Sequence, residues 1–138
     1  AARAAALPNI TFHGRIPYDK ALALSASADV LFATYDPAIP NHKFSSPNKV
    51  FEAMMLGKPI LVARETNMDR MIEAAQCGLV VPYGDAAALE AALARLEADP
   101  ALRETLGANA RRAYEQVYSW EKMEERLLAL YADVLGTP

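Results

Sequence analysis

Two textures alternate along the first two thirds of the chain. Short apolar runs rich in β-branched and aromatic residues recur between stretches whose apolar positions step by three and four. NITFHG (9–14) reads as a strand, and PYDKALALSASA (17–28) has helical spacing. DVLFATY (29–35) is a second strand, followed by a polar, proline-bearing loop and a helix that ends at Gly57. PILVA (59–63) is a third strand, NMDRMIEAA (67–75) a short helix, and GLVVPY (78–83) a fourth strand. A continuous run such as ILVA suits a strand buried on both faces of a helix-covered parallel sheet. Regular alternation of strand and helix predicts an α/β fold with a doubly wound, Rossmann-like sheet and helices on both faces.

Beyond Tyr83 the pattern becomes helical throughout. Leu89, Leu93 and Leu96 mark one face of a helix starting near Asp85. Asp99-Pro100 is a stop and a restart, with aspartate at the cap and proline at the first helical position. Leu102, Leu106, Ala113 and Val117 stripe the next helix. Ser119 is the expected cap of the last one, where Trp120, Met123, Leu127, Leu130 and Val134 repeat by three and four. Core packing is the expectation for all these stripes, against the sheet or against a neighbouring domain. At the other end, AARAAALPNI resembles the tail of a helix with no preceding strand, which suggests a fragment of a larger protein.

Composition narrows the function. The 138 residues suffice for one domain with a substantial core, 53% of them being hydrophobic. A net charge of -3 argues against a nucleic-acid partner, which demands a basic face. A single cysteine, Cys77, excludes an internal disulfide framework and a four-cysteine zinc site, and reads as a buried small hydrophobe. No apolar run has the length of a membrane span and the N-terminal residues lack the shape of a signal peptide, features expected to suit the cytoplasm.

Open α/β sheets bind ligands outside the carboxyl ends of their strands. The candidate loops are therefore Gly14, Arg15 and Ile16; Asp36 to Asn48; Arg64 to Asn67; and Pro82 to Asp85. The second is the longest and runs into the segment SSPNKVFEAMMLGKP (45–59). Here Ser46-Pro47 fits an N-cap followed by a first-turn proline, leaving the N–H groups of Asn48 and Lys49 free to meet an anion. Lys49 at a positive helix end costs ~0.3–1 kcal/mol unless an anion answers it, or it is a solvated surface lysine. Glu52, one turn further in, can accept hydrogen bonds from two neighbouring sugar hydroxyls. Its alternative is a salt bridge to Lys49 worth only ~0.2–0.5 kcal/mol. His13 and His42, and the pair Asp69 and Glu73, are weaker candidates; the two acids read as a solvated helix face. Neither a Gly-x-Gly-x-x-Gly run nor a phosphate-loop motif is present.

NITFHGRIP, ADVLFATY, SSPNKVFEAMMLGKPIL and CGLVVPYGDAAALEAAL, in that order and spacing, resemble the family-4 glycosyltransferases. The match is to the C-terminal, donor-binding domain of their two-domain GT-B architecture. The resemblance implies a retaining enzyme that passes a sugar from a nucleotide-diphosphate sugar to an acceptor, without a metal cofactor. It implies that Glu52 holds the ribose hydroxyls and that backbone groups from Ser46 through Pro47, Asn48 and Lys49 to Val50 face the diphosphate. It also implies that Gly14, Arg15 and Ile16 lie against the base.

Two departures accompany the likeness. The family often carries a second glutamate separated from Glu52 by seven residues, where this chain has Phe44, so Ser45, Ser46 and Asn48 become candidate substitutes and the donor sugar is left open. The family's basic phosphate-gripping pair belongs to a first strand–helix unit that would precede Ala1, and the acceptor site to an N-terminal domain. An isolated chain of this extent is expected to bind nucleotide weakly and to transfer no sugar. The likeness to enzymes of bacterial surface polysaccharide or glycolipid assembly implies a full-length protein working at the inner membrane face. The alternatives are a nucleotide-sugar epimerase of the same architecture and a non-enzymatic receiver module centred on Asp36.

Overall fold

A computed structural model describes residues 7–136. The helix tail expected at the very start of the chain falls mostly outside these residues. In chain order the elements are α1 (Tyr18–Ser27), β1 (Leu31–Ala33), a one-turn α2 (Pro40–Lys43), α3 (Asn48–Leu56) and β2 (Ile60–Ala63). Then come α4 (Met68–Ala75), β3 (Gly78–Val81), α5 (Ala86–Ala98), α6 (Pro100–Ala113), a π-helical turn (Tyr114–Tyr118) and α7 (Trp120–Leu135). The three strands form a parallel sheet in the order β1-β2-β3, with Ile60 opposite both Leu31 and Gly78.

Strand alternation sorts the core into two layers, one on each face of the sheet. Ile60 and Val62 of β2 pack with Val50, Ala53 and Met54 of α3, Met68 and Ile72 of α4, and Cys77. Leu61, pointing the other way, packs with Val81, Leu96 of α5 and Leu106 of α6. All four residues of β2 are buried, as the unbroken ILVA run predicts for a central strand. The doubly wound α/β expectation is met.

One strand of the expectation does not form. Residues 9–14 carry strand-like side chains but join no sheet among the described residues, where the one backbone bond they make joins the Ile10 N–H to the Leu7 carbonyl. A strand needs a ladder partner, and without one Phe12 stays largely exposed. The C-terminal stripe is not sealed against the sheet, one of the two coverings expected for it. No residue of α7 is buried, and Trp120 and Val134 are 68% and 71% exposed, so this apolar face is not core.

Capping follows the sequence with one exception. Asp85, Asp99 and Ser119 accept the N–H groups of Ala88, Leu102 and Lys122 at the starts of α5, α6 and α7. Helix α3 begins one residue later than Ser46-Pro47 suggested. Pro47 itself occupies the cap with extended backbone, and Asn48 is the first helical residue.

Candidate functional site

Helix α3 is held at both its inner face and its far end. Val50, Ala53 and Met54 anchor it to the sheet. Gly57 turns the chain with φ of 64°, a left-handed conformation that ends the helix. Gly107 of α6 crosses directly beneath, so close that a Cβ there would sit 2.4 Å from the Gly57 carbonyl oxygen. Arg111 completes the seat by donating to the Met55 carbonyl at 2.6 Å, a cation on the negative end of the helix.

The opposite end is open. Pro47 has no N–H to give, and no side chain caps the helix. Among the described residues the Asn48 and Lys49 N–H groups find no protein acceptor, while the Val50 N–H is taken by the Pro47 carbonyl at 3.1 Å. Lys49 is exposed and forms no ion pair among the described residues, so the salt bridge to Glu52 is not made. Ser46 is exposed beside them, but the Ser45 hydroxyl is spent on the His42 carbonyl at 3.0 Å.

Glu52 instead accepts a hydrogen bond from the Tyr18 hydroxyl, 3.0 Å from its Oε1. That bond, ahead of burial, raises the Tyr18 phenol above its ordinary value of 10.0. Tyr18 and Glu52 share a groove of about 540 Å³ with Asn48, Phe51, Met55, Tyr114, Tyr118 and Trp120. The π-helical turn helps to shape it: the Ser119 N–H reaches back to the Tyr114 carbonyl at 2.7 Å, and Tyr118 leans on Phe51 with ring centroids 5.9 Å apart.

The residues expected near the base are arranged differently. Gly14, Arg15 and Ile16 follow no strand. Ile16 faces a separate recess with His13, Lys20 and Leu24, and Gly14 makes a left-handed turn with φ of 63°. From that turn the chain passes Pro17 into α1, which lays Tyr18 across α3. Tyr18 was invisible to periodicity, because it reads as one more residue of a helix. A tyrosine directly after a proline-ended loop is a clue only once that loop is placed beside Glu52.

A smaller recess of about 280 Å³ lies on the other side of the α3 entrance, between Lys43, Phe44, Glu65, Asn67, Asp69 and Arg70. Phe44 stands there 75% exposed with the Lys43 ammonium 6.0 Å from its ring centre. The loop across from it is strained: Glu65 and Asn67 both have positive φ, at 64° and 58°. Asp69 pins that loop by accepting the Glu65 and Arg70 N–H groups at 2.7 and 2.8 Å. It is buried, contrary to the solvated face expected for it, because a carboxylate satisfied by backbone donors can leave water. Glu73 remains on the surface, 3.6 Å from Arg64.

The remaining candidates find local partners. His42 packs edge-on against Tyr35 at 5.3 Å, away from His13, and its Nδ1 is buried without a hydrogen bond among the described residues. Asp36 accepts the Ala38 N–H at 2.9 Å, a turn-forming role. Cys77 is fully buried, and burial pushes its thiol up to about 11. No described helix is long and apolar enough to cross a membrane.

Comparison with known proteins agrees with this architecture. A family model described as glycosyl transferase-like matches residues 2–129. A D-inositol 3-phosphate glycosyltransferase of Saccharomonospora viridis is 31% identical over 99 residues, covering 72% of this chain and 23% of its own length. A phosphatidyl-myo-inositol mannosyltransferase of Mycobacterium leprae is 30% identical over 126 residues, covering 91% of this chain and 32% of its own. Sucrose-phosphate synthase from Thermosynechococcus elongatus superposes with a TM-score of 0.76 at 27% identity, over 93% of this chain and 31% of that one. The chain thus spans about a quarter to a third of the length of these proteins. The chain belongs to the glycosyl transferase-like family and carries the fold of the C-terminal half of its GT-B architecture.

Proposed function

We propose that this chain is the donor-binding half of a retaining glycosyltransferase, which moves a sugar from a nucleotide-diphosphate sugar to an acceptor in bacterial surface polysaccharide or glycolipid synthesis. One observation carries the reading: two N–H groups and a lysine that have no partner among the described residues, and a carboxylate, stand within one turn of each other at an open helix end. The Asn48 and Lys49 N–H groups and the Lys49 ammonium suit a diphosphate. Glu52, facing the groove, suits the ribose hydroxyls. Phe44 has no acceptor for a sugar hydroxyl, so contacts to the sugar fall to neighbouring polar groups such as Ser46 and Asn48.

Binding and turnover separate in this account. Glycosyl transfer needs ~8–23 kcal/mol of barrier lowering. A helix end supplies at most ~2 kcal/mol, so the acceptor site and further phosphate contacts come from other parts of the full-length protein. That protein works in the cytoplasm, at the inner membrane face when its acceptor is lipid-linked. The chain alone is expected to bind a nucleotide weakly and to turn nothing over.

A thermal-shift panel of UDP, GDP, ADP and CDP, repeated on Glu52→Ala, tests the reading. One diphosphate should raise the melting temperature, and the substitution should remove most of that rise. Equal stabilisation of wild type and variant would remove Glu52 from the site.

A further inference from the structure

Glu52 does not wait for its ligand unattended. Its Oε1 already holds the Tyr18 hydroxyl at 3.0 Å, and among the described residues this is the only side-chain hydrogen bond it makes. The partners come from elements 34 positions apart, so the contact is made by the packing of α1 on α3 rather than by local sequence. A half-buried glutamate on a groove would otherwise sample several rotamers, which must be given up on binding.

Building on the reading of Glu52 as the pentose acceptor, we propose that Tyr18 is a positioning residue of the nucleotide site: its hydroxyl fixes the Glu52 carboxylate so that the remaining lone pairs meet a vicinal diol. A carboxylate offers about four acceptor sites on two oxygens. One donor from Tyr18 leaves Oε2 whole and part of Oε1 free, enough for two hydroxyl donors. The arrangement is directional. Tyr18 can donate to Glu52, but the phenol has no positive charge with which to neutralise it, so the carboxylate keeps its charge for the stronger, charge-assisted bonds to the sugar. Asn48, which carries one of the two N–H groups without an acceptor among the described residues, lines the same groove as Tyr18 and Glu52, so acceptors for a diol and a donor for a diphosphate share one surface.

The test pairs a substitution with a change in ligand. Binding of the diphosphate that most stabilises the chain, and of its 2′,3′-dideoxy counterpart, is measured by calorimetry on wild type, Tyr18→Phe, Glu52→Ala and the double variant. Tyr18→Phe should weaken the ribonucleotide by about three- to tenfold, the worth of one hydrogen bond, and leave the dideoxy form unchanged. In the Glu52→Ala background it should add no further loss. Equal affinity of wild type and Tyr18→Phe, tighter binding by the variant, or an equal loss for both nucleotides would overturn the proposal. Should Glu52→Ala itself bind the ribonucleotide like wild type, the pentose role of Glu52 fails and the proposal falls with it. Tyr18 is exposed, so an unchanged melting temperature of the unliganded variant should separate this effect from a folding defect.

Discussion

Helices α3 and α7 carry the same kind of apolar stripe and meet opposite fates. The inner face of α3 is sealed into the sheet through Val50, Ala53 and Met54. The longer α7 buries no residue at all, although Trp120, Leu127, Leu130 and Val134 step along one side. A periodic pattern therefore announces a face but not what covers it. Burial also requires an opposing surface at the right distance, and α3 has one because Gly57 and Gly107 let two backbones nearly touch. Sealing one face of α3 is what frees the other for Asn48, Glu52 and Met55 to line a groove.

Attacking the seat of α3 should break this contrast hardest. Gly107→Val places a branched side chain against the Gly57 carbonyl, beyond the ~3 kcal/mol usual for overpacking, and should abolish a cooperative thermal transition. Met54→Ala keeps the backbone and opens a cavity in the fully buried cluster, at a cost of about 2–5 kcal/mol in chemical denaturation. A gentler probe of the same interior is Cys77. Its thiol holds its proton up to about 11 when folded against 9.0 when unfolded, so both states are protonated below pH 9. Between those values the unfolded chain loses the proton first, and stability should fall by about 3 kcal/mol as pH rises. Cys77→Ala should remove that slope. On α7, by contrast, Leu130→Ser should change the unfolding free energy by less than ~0.5 kcal/mol, since its side chain is already largely in water.

What the sequence revealed follows the same division. Strands β1, β2 and β3, the start of α5 near Asp85 and the caps at Asp99 and Ser119 were legible, because strand burial and capping are local in pattern. That no strand forms at 9–14 was not legible, because side-chain preference cannot supply a ladder partner. Glu52 stood out as a carboxylate amid apolar neighbours. Tyr18 did not, since its meaning depends on α1 crossing α3. Asp69 was misjudged for a related reason: its partners are the N–H groups of Glu65 and Arg70, in a loop whose left-handed residues no spacing rule foretells.

The central claim is that the open turn of α3 receives a nucleotide diphosphate. Its most direct test is an amide-resolved NMR titration of the chain with UDP, GDP, ADP and CDP in turn. The account predicts that one of them moves the Asn48 and Lys49 amide resonances furthest, with Glu52 close behind. Resonances of that turn standing still, while the largest shifts gather around His13 and Ile16 or along α7, would contradict it.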